Sequence, residues 1–267
     1  MALAMDDPRR SFSLVSVVVP AYNEAARIEG TLGEIQSYFA GKPYDHEIIV
    51  AADGTDGTRE RIAAMAKGAR RVRVIGSPER RGKGRGIREA VALADGDVIG
   101  FVDADNKTPI TEFDLFEPHL TAGCDVVIGS RGLTTSRIER AQPWFRRWGS
   151  RGFGLLMHAM VGLPDIVDTQ CGFKFFRGSV ARDLFSRQRI DGYMFDVEVL
   201  CLATARGCRI VQVPIRWRDD GDSRLRLVAG NLRNVLDLLQ IRSRRRQGAV
   251  LGPQRSGAGE TRGSETR

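Results

Sequence analysis

Two carboxylates one residue apart, Asp103 and Asp105, are the residues of this chain with the plainest chemical use. They close an apolar run, Asp97-Val98-Ile99-Gly100-Phe101-Val102, that reads as a buried strand. An open α/β sheet binds ligands in the crevice at the carboxyl ends of its strands. A carboxylate pair there suits a hard divalent cation, which takes oxygen ligands and shares them with substrate phosphates. The competing reading is a polar loop with an aspartate helix cap, and Asp-x-Asp alone does not separate the two. The second candidate is Gly82-Lys83-Gly84. Either it is a flexible turn with a solvated lysine, or its backbone approaches a phosphate while Lys83 supplies the charge. It is not a Walker loop, because the G-x-x-x-x-G-K-[ST] spacing is absent. Nor is it a Rossmann dinucleotide fingerprint, because the first strand leads into Pro20-Ala21-Tyr22-Asn23-Glu24 rather than into glycines.

The elements that must position these residues follow from the hydrophobic pattern. Leu14–Val19 is β-branched and ends at Pro20, which predicts a buried parallel strand. Asn23 is placed to cap a helix carrying Ile28, Leu32, Ile35 and Phe39 on one stripe. Glu47–Ala51 predicts a second strand, and in the turn that follows Asp56 or Thr58 caps another helix. Arg71–Ile75 predicts a third strand. A helix with Ile87, Ala90, Val91 and Ala94 then leads back to the strand before Asp103. This alternation argues for a parallel sheet covered by helices, with Tyr22, Glu24, Asp53 and Asp103 near one crevice. Cys124–Ile128 predicts a fifth strand ending in Gly129-Ser130-Arg131.

Two later segments suit a membrane surface as well as a protein core. Gln142–Leu163 mixes Trp144, Phe145, Trp148 and Phe153 with Arg146, Arg147 and Arg151. It is either an amphipathic helix on the sheet or an interfacial segment. From Ser223 a helix is expected with Leu225, Val228, Leu232, Val235, Leu236 and Leu239 on one stripe, ending in the basic run Arg242–Arg246. It packs on the core or rests on an anionic surface.

Val19-Pro20-Ala21-Tyr22-Asn23-Glu24, Asp56-Gly57-Thr58, Gly82-Lys83-Gly84 and Asp103-Ala104-Asp105, in this order and spacing, resemble the family 2 glycosyltransferases. The resemblance implies an α/β chain of the GT-A, nucleotide-diphospho-sugar transferase fold, with a mostly parallel Rossmann-like sheet flanked by helices. It implies a nucleotide sugar held by Pro20, Ala21, Tyr22, Glu24, Asp53, Lys83, Asp103, Ala104 and Asp105, with Mg²⁺ or Mn²⁺ on Asp103 and Asp105. The family usually has Val-Asp-Asp-Gly-Ser after the second strand, where an Asp binds base and ribose. Here the chain reads Val50-Ala51-Ala52-Asp53-Gly54-Thr55, and a slip of one residue gives that role to Asp53. Asp168-Thr169-Gln170-Cys171-Gly172-Phe173-Lys174, Gly192–Glu198, Val213–Trp217 and Ser223-Arg224-Leu225 resemble one subgroup, the dolichyl- or polyprenyl-phosphate β-glucosyltransferases and their mannosyl relatives. That implies an inverting transfer of glucose from UDP-glucose, or of mannose from GDP-mannose, to a polyprenyl or dolichyl phosphate. By family position Ser130, Arg131 and Arg151 meet the acceptor phosphate. Asp196 orients acceptor or sugar, acts as a base for a hydroxyl acceptor, or merely caps the Val197–Leu202 helix. The rival reading is a non-catalytic membrane-surface binding module of the same fold.

Bulk properties bound these expectations. The chain has 267 residues, enough for one sizeable core. From Arg242 on there are seven Arg against two Glu, so +5 of the net +8 lies in the tail, and the charge of the body does not point to nucleic acid. Cys124, Cys171, Cys201 and Cys208 form no C-x-x-C pair, which suits reduced thiols in a cytoplasmic protein. No signal peptide or membrane-spanning run is expected, so the location expected is peripheral, on the inner face of the membrane. The expected organisation is a disordered 1–12, a glycosyltransferase domain 13–241 with donor (13–107) and acceptor (108–241) halves, and a disordered basic tail 242–267.

Overall fold

Runs of β-branched residues form the two longest strands, β1 (Leu14–Tyr22) and β2 (Asp45–Asp53), which pair in parallel over their whole length. The computed structural model describes residues 12–68, 71–138, 161–218 and 229–246. β3 (Val72–Ile75) and β4 (Val98–Val102) flank this pair, so β3, β2, β1 and β4 are all parallel. β5 (Val126–Ser130) and β8 (Ile210–Pro214) are parallel to each other at the far side. Between β4 and β5 lies β7 (Phe173–Arg177), antiparallel to both. The sheet order is therefore β3-β2-β1-β4-β7-β5-β8. A small parallel pair, β6 (Arg137–Ile138) with β9 (Arg216–Trp217), stands apart.

Helices cover both faces. On one lie α1 (Ile28–Ala40), α2 (Thr58–Ala66), a short 3-10 helix (Ile110–Leu115) and α4 (Glu117–Thr121); Leu32, Phe39, Ile62 and Phe113 meet Val15, Val17 and Val19 of β1 there. On the other lie α3 (Lys83–Ala92), α5 (Gly178–Arg187), α6 (Phe195–Ala205) and α7 (Ala229–Arg246); Ile87, Leu184, Leu200, Leu238 and Ile241 meet Val18, Ile99 and Phe101 there. Alternate residues of each strand thus serve opposite cores.

Several expectations need correction. β1 does not stop at Pro20 but continues to Tyr22. β4 pairs with β1 only as far as Val18, so the missing proline N–H falls where β1 has a neighbour on one side only. β5 begins at Val126 and includes Gly129 and Ser130. Asn23 does not cap α1, which starts at Ile28; its Oδ1 instead accepts the Thr55 N–H, tying the loops after β1 and β2. The folded unit does not end at residue 241, because α7 continues through Arg246. Its last turns are held by Arg244, paired with Glu198 at 2.6 Å, and by Arg245, which donates to the Val161 and Gly162 carbonyls. Leu238 and Ile241 face the core, whereas Leu236 and Leu239, expected on the packed stripe, are 57% and 48% exposed. Residues 142–160, with Arg151, and residues 223–228 lie outside the described residues.

Candidate active site

β1, β2, β4 and β5 point their carboxyl ends to the same edge, and β7 starts from it. The loop after β4 carries Asp103 and Asp105. The Asp103 N–H donates to the Gly172 carbonyl at 3.2 Å, just before β7. A Cβ at residue 172 would lie 1.9 Å from Asp103 Oδ2, so the absence of a side chain there gives the carboxylate its place. Lys83 Nζ donates to Asp103 Oδ1 at 2.5 Å. Burial pulls the Lys83 ammonium down, but the charges of Asp103 and Asp196 and the hydrogen bond to Asp103 outweigh it and hold the group above the ordinary lysine range. Asp105 is raised above the usual carboxylate range by burial and then by the charge of Asp103.

Packing requires both of the glycines that bracket Lys83. The Gly84 N–H donates to the Asp191 carbonyl at 2.9 Å. Gly82 has φ +113°, and a Cβ on it would lie 2.2 Å from that same carbonyl oxygen. A Cβ on Gly84 would lie 2.4 Å from the Ile190 oxygen. The loop before α6 therefore seats both glycines, and Lys83 opens α3 aimed at Asp103.

Behind Lys83 lies a second lysine, to which the sequence motifs assign no role. Lys174 Nζ donates to Asp196 Oδ1 at 2.7 Å and to the Cys171 carbonyl at 2.6 Å, and sits 5.3 Å from the Phe101 ring centre. Asp196 is thus neither a helix cap nor open to a substrate; it is buried in the first turn of α6, where burial raises its carboxyl and Lys174 partly offsets the rise. A lysine between Phe173 and Phe175-Phe176 was the available signal, since a buried charge must find a partner. The row Lys174, Asp196, Lys83, Asp103 and Asp105 contains two cations and three carboxylates, and Lys107 Nζ lies 3.8 Å from Asp105 at its open end. That donor set fits a divalent cation on Asp103 and Asp105. Among the described residues no third His, Cys, Asp or Glu joins them, which leaves positions for phosphate oxygens and water.

The donor-side candidates divide. Tyr22 is partly exposed at the edge, with the Arg80 guanidinium 4.4 Å from its ring centre, and Arg80 also donates to the Tyr193 hydroxyl at 3.3 Å. Asp53 lies at the crevice, register partner of Tyr22, and accepts the N–H groups of Ser77 (3.2 Å) and Arg81 (2.7 Å). Glu24, in the loop after β1, is paired with Arg27 at 2.9 Å. Pro20 and Ala21 belong to β1, and Ala104 is buried, its carbonyl accepting the Thr31 hydroxyl at 2.8 Å.

On the acceptor side Ser130, the last residue of β5, is fully buried, and its hydroxyl oxygen accepts the Gly132 N–H. Arg131 is gripped by Asp168 through Nε (2.7 Å) and Nη2 (2.9 Å). Burial pushes Asp168 up, but the Arg131 charge and hydrogen bonds overcome it and hold the carboxyl below the usual range. The Arg131 guanidinium and Lys107 Nζ lie 5.6 and 5.7 Å from the Trp217 ring centre. Lys107, which no motif singles out, thus brings a cation between Asp105 and Arg131.

The family model described as glycosyl transferase family 2 matches residues 16–185. A dolichyl-phosphate beta-glucosyltransferase of Trichomonas vaginalis is 33% identical over 235 residues, covering 84% of this chain and 69% of that protein. One of Drosophila melanogaster is 33% identical over 225 residues, 79% of this chain and 69% of that protein. Among solved structures, glucosyl-3-phosphoglycerate synthase from Mycobacterium tuberculosis in complex with Mn²⁺, UDP-glucose and phosphoglyceric acid is 25% identical, with a TM-score of 0.62 over 86% of this chain and 79% of that one.

Proposed function

The chain belongs to glycosyl transferase family 2 and has the GT-A fold, and from this premise we propose that it transfers glucose from UDP-glucose to the phosphate of dolichol or another polyprenol. The observation that carries the reading is the row Lys83, Asp103, Asp105 at the carboxyl end of β4, with Arg131 and Lys107 beside it. The two glucosyltransferase relatives favour glucose over mannose, and the Mn²⁺ and UDP-glucose bound by the solved neighbour favour a UDP-sugar with a divalent cation. The intact charge row argues against a binding module without turnover.

Asp103 and Asp105 would hold a divalent cation, Mg²⁺ or Mn²⁺, which when bound neutralises the departing diphosphate. Lys83, kept charged, offers that diphosphate a second positive partner. Tyr22 and Asp53 line the side where base and ribose would lie. Arg131, fixed in orientation by Asp168, and Lys107 draw in the acceptor phosphate, joined by Arg151 from outside the described residues. A phosphate acceptor is already ionised near neutral pH, so the attack with inversion needs alignment rather than a base. Asp196, paired with Lys174, steadies Lys83. The lipid tail of the acceptor calls for a bilayer nearby. Among the described residues no helix is long and apolar enough to cross one. Exposed Leu236 and Leu239, with Arg233 and Arg242 on the same helix, suit peripheral contact at the cytoplasmic face.

The test is incubation of purified protein with Mn²⁺ or Mg²⁺, a panel of nucleotide sugars and a short polyprenyl phosphate, with the product identified by mass. Glucosyl phospholipid formed from UDP-glucose is expected. Products with other sugars only, or none with any, would overturn the reading.

A further inference from the structure

We propose that Arg244 and Glu198 form a clasp through which the C-terminal helix α7 fixes the position of Lys83, an inference that rests on Lys83 as a partner of the sugar nucleotide. Glu198 is buried in α6. Its Oε1 accepts from Arg244 Nη1 at 2.6 Å. Its Oε2 accepts the backbone N–H groups of Arg189 and Ile190 at 2.8 and 2.7 Å. One carboxylate thus ties α7 to the start of the loop before α6. The next two carbonyls of that loop, Ile190 and Asp191, are the surface against which Gly84 and Gly82 are seated with no room for a Cβ. A shift of the loop therefore has no slack to absorb it before it reaches Lys83.

Among the described residues Arg244 is the one cation in ion-pair contact with Glu198. Without it, a buried carboxylate would be left to recover its charge balance by moving towards water, and its hold on the Arg189 and Ile190 amides would loosen. Arg88 braces the same loop from α3, through Asp191 at 2.7 Å and the Gln188 side chain at 3.1 Å, so loss of the clasp frees the loop without dismantling it. Part of the basic run thus acts inside the fold, as a positioning device for a residue far away in sequence.

Amide hydrogen exchange on the full chain tests this without substrate. Arg244→Ala should speed exchange at Gly84 and Ile190 by about tenfold, leaving the β1 amides of Val17–Val19 unchanged, as a local opening would. UDP binding in the presence of Mn²⁺ should weaken about fivefold, and Arg244→Lys should restore most of both. Glu198→Gln should reproduce the exchange pattern. Unchanged exchange at Gly84, or an equal rise in the β1 amides in both variants, would overturn the clasp. Faster exchange with unaltered UDP affinity would overturn its link to Lys83. Wild-type protein that binds no UDP would overturn the reading of the site instead, while the exchange data still decide the clasp.

Discussion

Two lysine–aspartate pairs of nearly equal length lie along one row and differ in everything around them. Lys83 and Asp103, 2.5 Å apart, are 20% and 40% exposed, while Lys174 and Asp196, 2.7 Å apart, are 1% and 5% exposed. Water screens the outer pair, so either member can exchange its partner for a ligand at modest cost. The inner pair has been taken out of water, and each charge there depends on the other. The contrast teaches how a charged site can be both open and rigid: the replaceable pair stands on one that cannot be replaced.

The comparison breaks most readily at the inner pair. Lys174→Met strands Asp196, and the unfolding free energy read by urea denaturation should fall by about 3–5 kcal/mol. The same change at Lys83 should alter it by less than about 1 kcal/mol; equal losses at both lysines would erase the distinction. Asp105→Ala should cut transfer about a thousandfold, roughly 4 kcal/mol, at an unchanged urea midpoint. Activity within a few-fold of wild type would remove the pair from metal binding. Lys83→Met should raise the KM for the nucleotide sugar roughly tenfold or more, and steady-state kinetics with intact secondary structure would place this loss in the site rather than the fold. Smallest of all, Asp53→Ala should raise that KM about fivefold with kcat nearly kept, as expected when uniform binding is lost. An unchanged KM would show that Asp53 only ties the loop of Ser77 and Arg81.

The parallel half of the sheet was legible because each strand is a short apolar run that stops at polar residues, and parallel strands put those stops on one edge. Asp103, Asp105, Tyr22 and Asp53 can therefore be grouped from the sequence alone. What escapes is pairing across distance. Nothing local in Phe173–Arg177 records that this strand runs against its neighbours. Nothing near Lys174 announces Asp196, and nothing in Arg242–Arg246 announces Glu198. Position along the chain points to Ser130 and Glu24 but does not record that the first is buried within β5 and the second pairs with Arg27. The helical stripe of α7 misleads because Leu236 and Leu238 lie on different sides, and only the packing shows which side is covered.

β7 also sets the order of events during synthesis. It pairs Phe173 with Val102 and Phe176 with Val126, contacts that span long stretches of chain. When β4 and β5 leave the ribosome, the strand that belongs between them has not been made. The apolar edge Val98–Val102 then shows a row of unpaired backbone groups, a template for another nascent copy. Closure over such a separation is slow, because the loop entropy is lost before the contacts are gained. A chain ending before residue 170 would keep both Asp103 and Asp105, yet it should form edge-to-edge aggregates rather than a smaller enzyme. The Asp103 N–H finds its acceptor only when Gly172 arrives, so the slow closure and the turn that carries Asp103 and Asp105 coincide.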